Sequence, residues 1–234
     1  MDLIPAISLR KHRQGQWCAS FMACVAIITL GFAADTMADD AGLAVSVTPH
    51  EQYSSSIGAL GCKLNTDRVA YWPGSVSCND FCIKIYNQGR SLHLLRIDTS
   101  GGAHDISYDA WNYLGFGKSA VEEPYEGGRI AMQYSVVPPS DCGHLLYEGK
   151  LPLSAANSMN FVASCIAEPT SWVAHNYVLY NIDDPQCKIG VDEKCHLDLA
   201  ISNQPSCPSG LGIKTPLNYK VENTQYGTGQ KVPA

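Results

Sequence analysis

Two carboxylates on either side of a glycine loop are the residues best placed in this sequence to do chemistry. Asp98 ends a strand-like run, Thr99-Ser100-Gly101-Gly102-Ala103 follows as a loop, and His104-Asp105 opens the next element. Such a pair can share acid–base work on a sugar or bind its hydroxyls. Equally, both acids can be structural, accepting backbone N–H bonds from the loop around Gly101 and Gly102. Tyr71-Trp72 offers flat aromatic faces to a sugar ring, with packing into the core or a groove wall as the plain alternative. His104 can tune the neighbouring acid or sit solvated in the loop. The loop lacks the Gly-Lys-Ser/Thr of a phosphate cradle, and no Gly-x-Ser-x-Gly elbow occurs. His50, His93, His104, His144, His175 and His196 show no metal-ligand spacing, so neither a metal nor a cofactor is expected.

The elements that would hold these residues are mostly strands. Residues 83–86 alternate, Asn87-Gln88-Gly89-Arg90 has hairpin-turn chemistry with Gly89 able to take positive φ, and 91–98 continue as a strand. Its alternation slips at Leu94-Leu95, which predicts a bulge or burial on both faces. Residues 130–136 alternate strictly until Pro138-Pro139. One short helix interrupts the strands. Ser107 is its candidate cap, Asp109 suits the positive end of its dipole, and Gly115 follows its last turn. Trp111 and Leu114 share its buried face. After Cys142, a helix is expected over 154–166 with Ser154 as cap, and a second over 171–180. Residues 187–207 read as a loop-rich end.

The termini and cysteines set the compartment. Arg10, Lys11 and Arg13 precede an uncharged run over 17–34, with small residues at Gly31 and Ala33, as in a cleaved secretory signal. An uncleaved anchor is the alternative, with only weakly apolar residues to support it. Cleavage after Ala33 leaves eight cysteines: Cys62, Cys78, Cys82, Cys142, Cys165, Cys187, Cys195 and Cys207. An even set fits disulfides in an oxidising compartment better than zinc at the Cys78/Cys82 spacing. Four fall at 62–142 and four after it, so each lobe can close two bridges internally and no bridge between lobes is expected. The whole chain has net charge −6, and removal of the signal leaves −8. Without a Lys/Arg cluster, that acidity excludes nucleic acid and anionic membranes as partners. The resulting map is signal 1–33, flexible lead-in 34–60, barrel 61–142, helical disulfide-tied lobe 143–207 and flexible tail 208–234.

The stretch from Ile83 through Asp98, Asp105-Ile106-Ser107-Tyr108 and the closing strand with Cys142 resembles the double-psi β-barrel proteins: barwin-like proteins, expansins and the rare-lipoprotein-A-like group. Asp-Ile-Ser-Tyr is similar to the Asp-Leu-Ser motif of expansins and closer to Asp-Leu-Ser-Tyr of the lipoprotein group. The whole chain also resembles a set of secreted fungal proteins of unassigned role. The resemblance implies an all-β core, a six-stranded double-psi barrel with a short helix, followed by a disulfide-rich α-helical extension.

Three activities occur on that fold. Inverting glycosidases of the family-45 type would place their acid at Asp105, but their base lies in an early Tyr-Trp-Asp, and here Tyr71-Trp72 is followed by Pro73, which takes no proton. Lytic transglycosylases would match Asp98, but the histidine partner expected upstream is missing between Glu51 and Leu92. Expansins keep the acid without the base and loosen walls without cleavage. The resulting expectation is a monomeric, secreted, non-hydrolytic binder of cell-wall polysaccharide through Tyr71, Trp72, Asp98, His104 and Asp105. The alternatives are an effector or elicitor that recognises a host or competitor extracellular protein, and a glycan-cleaving enzyme with Asp105 as general acid.

Overall fold

The computed structural model describes residues 42–234, so the signal segment 1–33 and the first part of the 34–60 lead-in lie outside the described residues. Six strands close a barrel. They are β1 (Leu43–His50), β2 (Val69–Pro73), β3 (Cys82–Asn87), β4 (Arg90–Ser100), β5 (His104–Ser107) and β6 (Ile130–Val136), in the closed order β1-β5-β2-β4-β3-β6. The β1–β5 and β2–β4 pairs are parallel and the rest antiparallel. One helix, α1 (Tyr108–Phe116), leaves directly from β5. This is the expected fold class, an all-β barrel core with a short helix.

Local chemistry explains several of these elements. Gln88 and Gly89 both take positive φ, 48° and 78°, and join β3 to β4 in a two-residue hairpin whose twist matches its strands. Leu94 packs in the cluster with Val45, Val47, Ala70, Trp72, Ile83, Ile85, Ile106, Trp111 and Leu114. Leu95 packs in the other cluster with Val69, Tyr71, Phe81 and Ile97. The slipped alternation therefore marks burial on both faces, and the register shift falls later, opposite Ala70/Tyr71. At α1, Ser107 occupies the cap position but its hydroxyl donates to Asp67 O instead. The helix runs past Gly115, and Gly117 at φ 84° caps it by donating N–H to Tyr113 O.

The second half departs from the expected map. It contains β7 (Leu151–Ser154), α2 (Met159–Ile166), α3 (Trp172–His175), β8 (Tyr177–Ile182), β9 (Gly190–Cys195), β10 (Glu222–Thr224) and β11 (Lys231–Pro233). Ser154 ends a strand rather than capping a helix, and α2 starts at Met159. The helix expected over 171–180 is one turn long, because 177–180 pair in parallel with β7 and 179–182 pair antiparallel with β9. The apolar spacing there suits either state, and the sheet partners decide it.

The boundaries also shift. Residues 43–50 of the lead-in are a barrel strand, with Val45 and Val47 buried against partners on β5 and β6. Part of the 208–234 tail forms the β10–β11 hairpin. The described residues fall in one compact unit, in which the outer barrel face and residues after 142 share a core. Two bridges cross between the expected lobes, Cys62–Cys187 and Cys78–Cys165, which corrects the expectation of none. Cys82–Cys142 and Cys195–Cys207 stay within their halves. The physical reason is the shared core: Phe81 packs on Trp172, and Val173 N–H donates to Cys78 O, so chain ends distant in sequence meet there.

Candidate functional site

Strand register decides which candidate residues meet. Thr48, Asp105, Tyr71 and Asp98 are successive Cα partners across β1, β5, β2 and β4. Tyr71 thus stands between the two acids. Its neighbour Trp72 points the other way, as successive strand residues must, and packs edge-on against His104 at 4.7 Å and Tyr134 at 5.4 Å between ring centroids. The five candidates therefore form two groups on opposite faces: Tyr71, Asp98 and Asp105 on one, Trp72 and His104 on the other.

Both aromatics are buried, each 4% exposed, so neither presents an open platform. The two acids are half-buried and engaged. Asp98 accepts Ser54 Oγ at 2.5 Å and the Thr99 N–H at 2.8 Å. Asp105 accepts the Thr48 hydroxyl. No bond from Gly101 or Gly102 to either acid is present; Gly102 N–H instead donates to Ser100 Oγ.

The segment 51–60 crosses this row and explains its electrostatics. Tyr71 donates its hydroxyl to Gln52 O at 3.0 Å, and Tyr53 donates to Ala59 O at 2.9 Å. Burial pushes the Tyr71 hydroxyl well above its ordinary value, and the charges of Asp98 and Asp105 push it further. Burial, then Tyr71 and Asp98, does the same to Tyr53. Both stay neutral donors at physiological pH. Burial lowers the His104 pKa, with Arg96 acting in the same sense and Asp105 opposing.

Two contributors escaped the sequence reading, and a third, Asp109, is legible there only as a helix-dipole residue. His50, one residue before the window that lacked a histidine, lays its ring on Tyr71 at 4.3 Å. Its signal was present as an upstream histidine, but residues 34–60 carried no visible strand. Arg96 donates from Nη2 to the carbonyls of Pro73, Gly74 and Ser75 at 2.9–3.1 Å, fixing the loop after Trp72. Asp109 is a buried clamp, accepting Arg68 at 2.8 Å, Ser119 at 2.6 Å and the Ala120 N–H at 2.8 Å.

Two depressions open near this row, neither of them lined by Asp98 or Asp105. A depression of about 400 Å³ is lined by Pro49, His50, Glu51, Gln52 and Tyr226. A smaller one of about 120 Å³ is lined by Ser46, Thr48, Gly102, Ala103, His104 and Arg129. Between the first depression and α1, the β10–β11 hairpin lies as a strap over His50, Tyr71, Ser107 and Tyr108, leaving a hollow of only about 10 Å³. Asp67 holds the strap, accepting Thr224 at 3.0 Å and Lys231 at 2.6 and 2.8 Å. Among the described residues, no cluster of three metal-ligating side chains occurs, and no helix is long and apolar enough to cross a membrane.

No family model matches the chain, and no curated protein matches it. Among solved structures, it is similar to cerato-platanin 2 from M. perniciosa at 20% identity and a TM-score of 0.32, over 43% of this chain and 98% of that one. That likeness is too distant to bear on function, which rests on the residues above.

Proposed function

We propose that this is a secreted, disulfide-stabilised protein that binds polysaccharide without cleaving it. The observation that carries the reading is the state of the rim acids. Each is half-buried, with one oxygen taken by a neighbouring hydroxyl, from Ser54 or Thr48, and the second oxygen of Asp98 taken by the Thr99 N–H. Carboxylates held this way keep lone pairs free for a ligand's hydroxyls. The two nearby depressions offer His50, Glu51 and Gln52 in one, and Thr48, His104 and Arg129 in the other, as further polar partners. Pro73, where the family-45 resemblance would place a base, ends β2 and offers only its carbonyl, which Arg96 takes. Four disulfides suit an oxidising compartment.

Titration with soluble cello-, chito- and β-gluco-oligosaccharides, followed by NMR, tests this reading. The amides of Thr48, Asp98, His104 and Asp105 should shift. If none of the three series moves them, the rim is not a glycan site.

One observation favours the second reading, recognition of a host or competitor protein. Leu199 and Ile201 are 40% and 84% exposed on the loop closed by Cys195–Cys207. A cell-death response to infiltrated protein that survives Asp98→Ala and Asp105→Ala would move the function to that loop.

A further inference from the structure

With Tyr71 and Trp72 buried, a sugar ring reaching this surface must stack elsewhere. Lys63 leads to such a place. Its Nζ lies 5.4 Å from the ring centroid of Tyr147 and 5.1 Å from those of Tyr180 and Tyr219. The lysine side chain is only 10% exposed and donates to Asp192 at 2.8 Å. It is therefore the hub of a three-tyrosine cluster rather than a free surface cation. Tyr180 is buried beneath, but Tyr147 is 73% exposed and Tyr219 37%.

Two of these rings are held by their hydroxyls, and the third, Tyr147, through its backbone. The Tyr147 N–H donates to Lys63 O at 2.9 Å, the Tyr219 hydroxyl donates to Asp192, and the Tyr180 hydroxyl donates to Glu148 at 3.3 Å. Next to Lys63, Cys62 is bridged to Cys187. The attraction of the ammonium for three ring faces adds to this fixation. An exposed aromatic fixed before a ligand arrives loses little freedom on binding.

The surroundings select the ligand class. The rim consists of charge-balanced pairs, Lys63–Asp192 and Lys194–Glu148, the latter at 2.7 Å. Balanced pairs give no net field to attract an ionic ligand. A protein interface core wants contiguous apolar surface, whereas here two exposed tyrosine rings are surrounded by donors and acceptors. A pyranose matches that pattern, with a C–H face for the ring and equatorial hydroxyls for the rim.

We propose that Tyr147, flanked by Tyr219 over Lys63, is a stacking platform for a neutral polysaccharide chain, separate from the acid rim. This rests on the polysaccharide-binding reading above. Adsorption isotherms of the full chain on insoluble cellulose, β-glucan and chitin test it, using the wild type, Tyr147→Ala and Tyr147→Phe. Tyr147→Ala should raise the Kd about tenfold, the upper end of an aromatic stacking contact. Tyr147→Phe keeps the ring and should bind as the wild type does. Unchanged urea midpoints are expected at so exposed a position and confirm that folding is intact. If Tyr147→Ala adsorbs as the wild type does, the platform is wrong and the polysaccharide reading stands. If the wild type adsorbs to none of the three, both fall.

Discussion

Replacing Cys78 and Cys165 together by Ala removes one of the two bridges that join the barrel to the second half. The two positions are 87 residues apart, and loop-closure entropy alone assigns about 4.5 kcal/mol to a bridge over that distance. The remaining network shortens the loop. With Cys82–Cys142 intact, a chain path of roughly 30 residues already connects the two positions, which lowers the estimate to about 3.5 kcal/mol. Both cysteines are buried, so lost packing adds to this cost rather than offsetting it. For a domain of this size the expected fall in Tm is roughly 7–14 °C. Urea denaturation monitored by tryptophan fluorescence measures the loss, and non-reducing peptide mapping of the wild type checks the Cys78–Cys165 linkage. A loss under about 1 kcal/mol, or a map pairing Cys78 within 62–142, would refute the reasoning that the two halves share one covalently closed core.

Asp109→Ala should cost about 3 kcal/mol, the scale of breaking a buried pair, because Arg68 and the Ala120 N–H lose their acceptor. Despite opposition from burial, the Asp109 pKa is lowered by Ser119, Arg68 and the Ala120 N–H. Its contribution is therefore fully present above the unfolded carboxylate range and is lost as pH falls through the depressed folded value. Urea midpoints between pH 6 and pH 2.5 should fall less steeply in Asp109→Asn than in the wild type, and parallel curves would contradict this. Lys231→Ala should speed hydrogen exchange in 222–233 and beneath it at 50–53, leaving β7–β9 unchanged, since Asp67 holds the strap through this ammonium. Arg96→Ala frees the carbonyls of 73–75, and exchange there should rise while the Tm drops by no more than a few degrees.

The parts of the fold legible in the sequence are those that local chemistry specifies. Gln88-Gly89 encodes the β3–β4 hairpin through positive φ, and the alternation of 130–136 encodes β6. The start of α1 also follows from its own residues. β1 was hidden because its apolar residues are small and few, and its burial depends on partners at 104–107 and 130–134. The cysteine pairing was hidden for the same reason, since contacts such as Phe81 on Trp172 are made far along the chain. The division of the candidate site was readable and missed. Tyr71 and Trp72 are adjacent on one strand, as are His104 and Asp105 on another, and a period of two sends adjacent residues to opposite faces. His50 needed β1 to be recognised first.

Incubating the full chain with insoluble cellulose, β-glucan and chitin, while measuring both depletion of protein from solution and release of reducing ends, tests the central claim most directly. Binding without cleavage predicts depletion on at least one polysaccharide and reducing ends no higher than in the protein-free control. Release of reducing ends that disappears in Asp105→Asn, or absence of depletion on all three, would contradict it.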